Sequence, residues 1–247
     1  MSELEGIYTI WLREIIRFGR DKSRIASSLF QPLLFLIVFG GGFSFVKFGN
    51  LNYQMFLFPG IVVMSLVGVS ITSGISVIWD REFGFLKEIF VAPISRTSIF
   101  IGKALGGCTI ALIQGTIILS LSFIVRILIS PLSFLISIGL AIIISLGLVS
   151  IGLIIASLIE TFESFGVIVN FIIFPLIFLS SAFFPLQEAP QWLKIISFVN
   201  PLTYGVEAMR FIIIGFSPIP LSISLLVISI FSLIVILLGG IAFNRRK

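Results

Sequence analysis

Six intervals of the chain contain no Asp, Glu, Lys or Arg: Ile25 to Val46, Phe48 to Trp79, Ala104 to Val125, Ile127 to Ile159, Ser164 to Gln187 and Phe211 to Asn244. Each is at least 22 residues long. At about 1.5 Å of rise per helical residue, that length matches a hydrocarbon core roughly 30 Å thick. The strands of an outer-membrane barrel would be short and alternating, and these runs are neither. The expected fold class is therefore an all-α polytopic membrane protein with six transmembrane helices, at 26–45, 54–79, 104–125, 132–158, 165–184 and 221–243. A mean hydropathy of +1.23 and 27 Phe in 247 residues agree. With no repeat and no long linker, residues 1–247 read as one domain.

The basic residues orient this bundle. With both termini cytoplasmic, twelve Lys and Arg fall on the inner side and four, Lys47, Arg126, Lys194 and Arg210, on the outer. The positive-inside rule then places 80–103 in the cytoplasm as well. The same bias accounts for the net charge of +5, so membrane lipid is expected as a partner and nucleic acid is not. Cys108 is the single cysteine and there is no histidine, which excludes a disulfide framework, zinc-peptidase chemistry and a His-based triad. No metal site is expected, and no cleavable leader is read in the first 24 residues.

Residues 1–24 carry Leu4, Ile7, Trp11, Ile15 and Phe18 on one side and Arg13, Arg17 and Arg20 on another. This pattern predicts an interfacial amphipathic helix lying flat on the inner leaflet as an anchor, with partner contact as a lesser role. In the spans, Pro59-Gly60 and Gly68 can bend the second, with helix packing the favoured reading of these residues, and Gly102 with Gly106, then Gly107, Ala111 and Gly115, are expected to let helices approach closely. The turn at Glu160 and Glu163 reads as solvated rather than metal-binding.

Two segments interrupt the pattern. Asp80 to Lys103 packs seven charged residues into 24 positions in a chain that is 11% charged. Read as a helix up to Pro93, it aligns Phe83, Leu86 and Phe90 beside a charged face, so it rests at the interface or docks onto a partner. Phe183 to Arg210 is broken by Pro185, Pro190 and Pro201 and spaces Trp192, Ile195, Ile196 and Val199 like a short interfacial helix. It reads as helical pieces on, or dipping into, the outer leaflet. Glu207 and Arg210, at i and i+3, can pair there as a structural clip or as part of a gate.

Together these segments resemble the permease subunits of type-2 ATP-binding-cassette exporters, in the multidrug and daunorubicin-exporter-like branch. The first motif is Arg81, Glu82, Gly84, Glu88, Ile89, Phe90, Pro93, Ser95, Arg96, Gly102 and Lys103. The second is Phe183, Phe184, Pro185, Pro190, Trp192, Leu193, Asn200, Pro201, Leu202, Thr203, Tyr204, Glu207 and Arg210. Phe85 departs from the small or hydroxylated residue many relatives place after the Gly. The resemblance implies a permease rather than an enzyme, with 80–95 as a coupling helix between spans two and three. Its ATPase-contacting residues would be Arg81, Glu82, Phe83, Gly84, Leu86, Lys87, Glu88, Phe90, Pro93 and Arg96. It also implies an outer gate in the re-entrant segment 185–210 and its approach, built on Phe183, Phe184, Pro185, Asn200, Pro201, Tyr204, Glu207 and Arg210. No phosphate-binding Gly-x4-Gly-Lys-Ser/Thr loop exists in the sequence, so ATP and Mg would sit on a separate cytoplasmic ATPase subunit and this chain would carry no cofactor. A second permease copy, forming a homodimer, and residence in a prokaryotic cytoplasmic membrane complete the picture; substrate-contacting residues are not designated.

The alternatives differ in what they would need. An ion-coupled carrier usually places Asp, Glu or His in mid-membrane, and the six intervals hold none. A membrane enzyme needs a pair such as Ser and Lys within a span. A channel has no use for an ATPase-docking helix. Within the resembling family, a polysaccharide or glycolipid path would show an aromatic and polar ladder. Three Trp and three Tyr against 27 Phe favour a hydrophobic or amphiphilic cargo, drug or lipid-like.

Overall fold

The structure, a computed structural model, describes residues 2–43, 45–48, 51–85 and 93–245. Among these the chain is helical apart from a two-residue antiparallel ladder, β1 (Lys47–Phe48) with β2 (Leu51–Asn52). The helices are α1 (Glu3–Arg20), α2 (Lys22–Gly42), α3 (Tyr53–Thr72), α4 (Ile75–Glu82), α5 (Arg96–Ser120), α6 (Pro131–Leu158), α7 (Phe162–Phe178), α8 (Gln191–Val199), α9 (Pro201–Ile214) and α10 (Leu221–Arg245). Five segments are long and apolar enough to cross a membrane: Lys22–Gly42, Tyr53–Glu82, Arg96–Val125, Pro131–Leu158 and Leu221–Asn244. The interval expected to be the fifth of six spans forms α7, which has 17 residues.

The most buried element is α3, wrapped by α2, α5, α6 and α9. Its burial follows from composition, since Tyr53 to Thr72 carries no charge and its apolar residues run around the whole helix. Helix α10 covers α5, α6 and α9. Close approach is bought with glycine. A Cβ on Gly152 of α6 would lie 2.1 Å from the Ile71 carbonyl oxygen, and one on Gly74 would lie 2.2 Å from the Gly152 carbonyl oxygen. Gly74 also lies, with Ser73, in the break between α3 and α4 that interrupts the second span. Pro59 and Gly68 both lie inside the unbroken α3.

Helix α1 differs from the expected flat anchor. Its Ser2 side chain and Glu5 form a capping box, and its buried positions are Gly6, Ile10, Glu14 and Phe18, a four-residue seam laid along α5. The Gly102 and Gly106 pair of α5 receives this seam: added Cβ atoms there would meet Ile10 at 2.8 Å and Glu14 at 2.7 Å. Leu4, assigned to the apolar stripe, is exposed because it falls outside the Gly6, Ile10, Glu14 and Phe18 row.

Candidate functional site

The end of the molecule that carries α1 is held by buried charge. Lys103, on the second turn of α5, is 2% exposed. Its ammonium donates to Glu14 Oε1 at 2.9 Å, Asp80 Oδ2 at 2.6 Å and Ser76 Oγ at 3.2 Å. Three acceptors thus surround Lys103 Nζ, matching the three donors of an ammonium. Asp80, 1% exposed, also takes hydrogen bonds from the Arg13 guanidinium and lies 3.5 Å from Arg17. Arg17 stacks over Trp79 at 4.6 Å, and Trp79 meets Phe162 of α7 edge-on. One residue after Asp80, Arg81 donates to the Ile159 and Ala156 carbonyls at 2.7 and 3.2 Å. It thereby closes the carbonyl end of α6, where a cation also meets the negative pole of the helix. The end of α4 is thus fastened to α1 and α5 by Asp80, to α6 by Arg81 and to α7 by Trp79.

Only the two edges of the expected coupling segment fall among the described residues. Asp80, Arg81 and Glu82 complete the long second span rather than opening a separate helix. Phe83 caps α4, and Gly84 takes the left-handed backbone at φ 78° that stops it. Asp80 and Lys103, the first and last residues of the charged segment, turn inward toward each other. Glu82 and Phe83 stay exposed, Phe83 at 65%. Leu86, Lys87, Glu88 and Phe90 lie outside the described residues. Pro93 is exposed, and Arg96 opens α5 behind the N-cap Ser95. Ser95 is itself clasped by Glu3 of α1, whose carboxylate accepts from the Ser95 amide and hydroxyl. These hydrogen-bond donors, Ser98 first and then Ser95, hold the Glu3 carboxyl below its usual range.

At the opposite end, α7 stops at Phe178 and its last carbonyls are taken by the segment that follows. Ser197 Oγ donates to Leu179 O at 2.9 Å and Asn200 Nδ2 donates to Leu176 O at 2.8 Å. Asn200 Oδ1 at the same time caps α9 through the Leu202 amide. Pro201 is the first residue of α9, a position where proline costs no hydrogen bond. Tyr204 donates to Phe198 O, so α8 and α9 form a hinge-like V closed by its own side chains. Phe183 lies among Phe35, Phe39 and Phe178, and its carbonyl accepts from the Tyr53 hydroxyl. Phe184 and Pro185 follow, half-buried.

Glu207 and Arg210 form the predicted i, i+3 pair, and both are fully buried. Arg210 also donates to Ser181 O at 2.7 Å and stacks over the Phe56 ring at 4.0 Å, while Ser217 holds the second Glu207 oxygen at 2.8 Å. The pair therefore ties α9 to α3 and to the 180–185 segment, which rests on Gly60: a Cβ there would lie 2.7 Å from Ala182 O. Sequence reasoning missed Glu14. Its signal was a single acidic residue in a row otherwise made of Gly6, Ile10 and Phe18.

A helical bundle with five membrane-length helices and charges hidden in pairs at its two ends defines a polytopic membrane protein. The family model for the ABC-2 type transporter matches residues 5–214, and the chain belongs to that family as a transport permease. It is 34% identical over 215 residues to a protein of Cyanophora paradoxa named "Putative transport permease ycf38", covering 85% of this chain and 74% of that one. Over 166 residues it is 32% identical to "Probable multidrug ABC transporter permease YbhR" of Escherichia coli K12, covering 65% of this chain and 44% of the relative. It is 25% identical over 222 residues to "Inner membrane transport permease YadH" of the same organism, with 87% and 86% covered.

Proposed function

We propose that this permease is the membrane subunit of an ATP-driven exporter for hydrophobic or amphiphilic compounds. A separate ATPase subunit that binds ATP and Mg docks on the segment following α4, and two permease copies enclose the path in a prokaryotic cytoplasmic membrane. Helix α7 provides the short sixth crossing, and both termini face the cytoplasm. The single observation that carries this reading is the fastening of α4 at Asp80 and Arg81. A push delivered next to Phe83 is transmitted at once to α1, α5, α6 and α7, because packed helices joined by buried charge move as rigid bodies. The exposed Phe83, with Glu82 beside it, offers a partner an apolar anchor with a charged rim. The relative named as a multidrug permease supports the cargo class.

In this mechanism the outer pair Glu207 and Arg210, with Phe183 in its aromatic cluster, closes the far end until the two halves rock. The test is co-purification from native membranes in mild detergent beside a Phe83→Glu variant. The expected result is a soluble ATPase held by the parent and lost by the variant, with both proteins monodisperse. A parent that carries no ATPase contradicts the reading.

A further inference from the structure

Between α2, α3, α5 and α7, at the end of the bundle near α1, lies a cavity of about 400 Å³. One part of its wall is polar, with Arg24, Ser27, Ser28 and Gln114. Another is apolar, with Ile173, Phe174 and Phe178 of α7. Two polar groups here are incompletely used. No carboxylate lies within ion-pair distance of the Arg24 guanidinium among the described residues, whereas Arg13, Arg17 and Arg210 each have one. Gln114 is 3% exposed, and its Nε2 donates to the Ser28 carbonyl. Its Oε1 has no partner among the described residues. A buried amide oxygen without a donor is costly, and a guanidinium with no ion-pair partner favours an anion. A volume in this range suits a headgroup and the first carbons of a chain, and basic pockets between membrane helices bind lipid headgroups.

We infer that this cavity binds an amphiphile whose net-anionic headgroup carries a phosphate together with its own O–H or N–H donor, drawn from the leaflet on the α1 side. Arg24 takes the phosphate, Gln114 Oε1 accepts from the hydroxyl or amine, and the acyl chain runs along Ile173, Phe174 and Phe178. The inference rests on the permease reading and gives its cargo a class: an anionic phospholipid or lysophospholipid.

The test is binding, which needs no ATPase and so stands apart from failure of the exporter reading. The full chain is placed in phosphatidylcholine nanodiscs and titrated with lysophosphatidylglycerol, lysophosphatidylcholine and inorganic phosphate, with bound ligand counted by native mass spectrometry. The expected result is that lysophosphatidylglycerol binds at least tenfold tighter than lysophosphatidylcholine and that millimolar phosphate does not displace it. Arg24→Gln should remove that preference, Arg24→Lys should keep most of it, and Gln114→Met should weaken it severalfold. Lys22→Gln, an exposed cation two residues away, should change nothing. Equal binding of both lipids, displacement by free phosphate, or an Arg24→Gln protein that is monodisperse and retains the preference would each overturn the inference. If Arg24→Gln does not fold, an unchanged preference in Gln114→Met overturns it.

Discussion

Replacing Lys103 with Met isolates the energetic role of the buried cluster. The substitution keeps the length of the side chain and removes only the ammonium that touches Glu14 at 2.9 Å and Asp80 at 2.6 Å. Asp80 keeps Arg13 and Arg17, so it remains compensated. Glu14 is 7% exposed and has no other cation within 4.0 Å among the described residues. The cost is therefore that of one stranded carboxylate, about 3 kcal/mol, the low end for breaking a buried pair. For a chain of this length that corresponds to a fall in Tm of roughly 6 to 12 °C. The assay is thermal unfolding of the detergent-solubilised protein followed by tryptophan fluorescence. Adding Glu14→Leu to Lys103→Met should restore at least half of the loss, since it removes the orphaned charge. A Lys103→Met protein that melts with the parent, or a double variant no better than the single, would refute this account of the cluster.

The outer pair obeys the same rule: Arg210→Met should cost about 3 kcal/mol by unfolding, and Arg210→Met with Glu207→Leu should recover most of it, as coupled sites do. Gly152→Ala pushes a methyl into the Ile71 carbonyl and should cost roughly 1 to 3 kcal/mol or prevent folding. Gly139→Ala, on the same helix with nothing within 4 Å, should be neutral or stabilise by up to about 1 kcal/mol in the same melting assay. Because the Glu3 carboxyl is held below its ordinary value of 4.5, its clasp on Ser95 is complete above that pH and is lost as pH falls through the lowered value. The melting difference between the parent and Glu3→Gln should thus be constant at neutral pH and disappear in acid below that range.

Much of the helical layout could be read from charge-free intervals, because a bilayer forces backbone polar groups to pair within each helix. Contacts between helices were less visible. The break in the second span sits where Gly74 meets Gly152, two glycines with no pattern connecting them in the chain, whereas Pro59 and Gly68 had local signatures and interrupt no helix. Helix α7 ends early because Asn200 and Ser197 take its terminal carbonyls, a competition that composition does not encode. The i, i+3 spacing of Glu207 and Arg210 announced their pair. The Asp80 and Lys103 pair carried no such spacing, and counting the charges of the segment does not tell which of them are buried. Phe83 and Glu82 are exposed at the end of α4.

The measurement closest to the central claim is ATP-dependent movement of a fluorescent amphiphile in sealed proteoliposomes that contain the permease with its co-purified ATPase. ATP on the ATPase side should move the amphiphile toward the opposite side, no movement should occur without ATP, and vesicles lacking the permease should be silent. Transport that proceeds without ATP, or that follows an imposed proton or sodium gradient instead, would contradict the account.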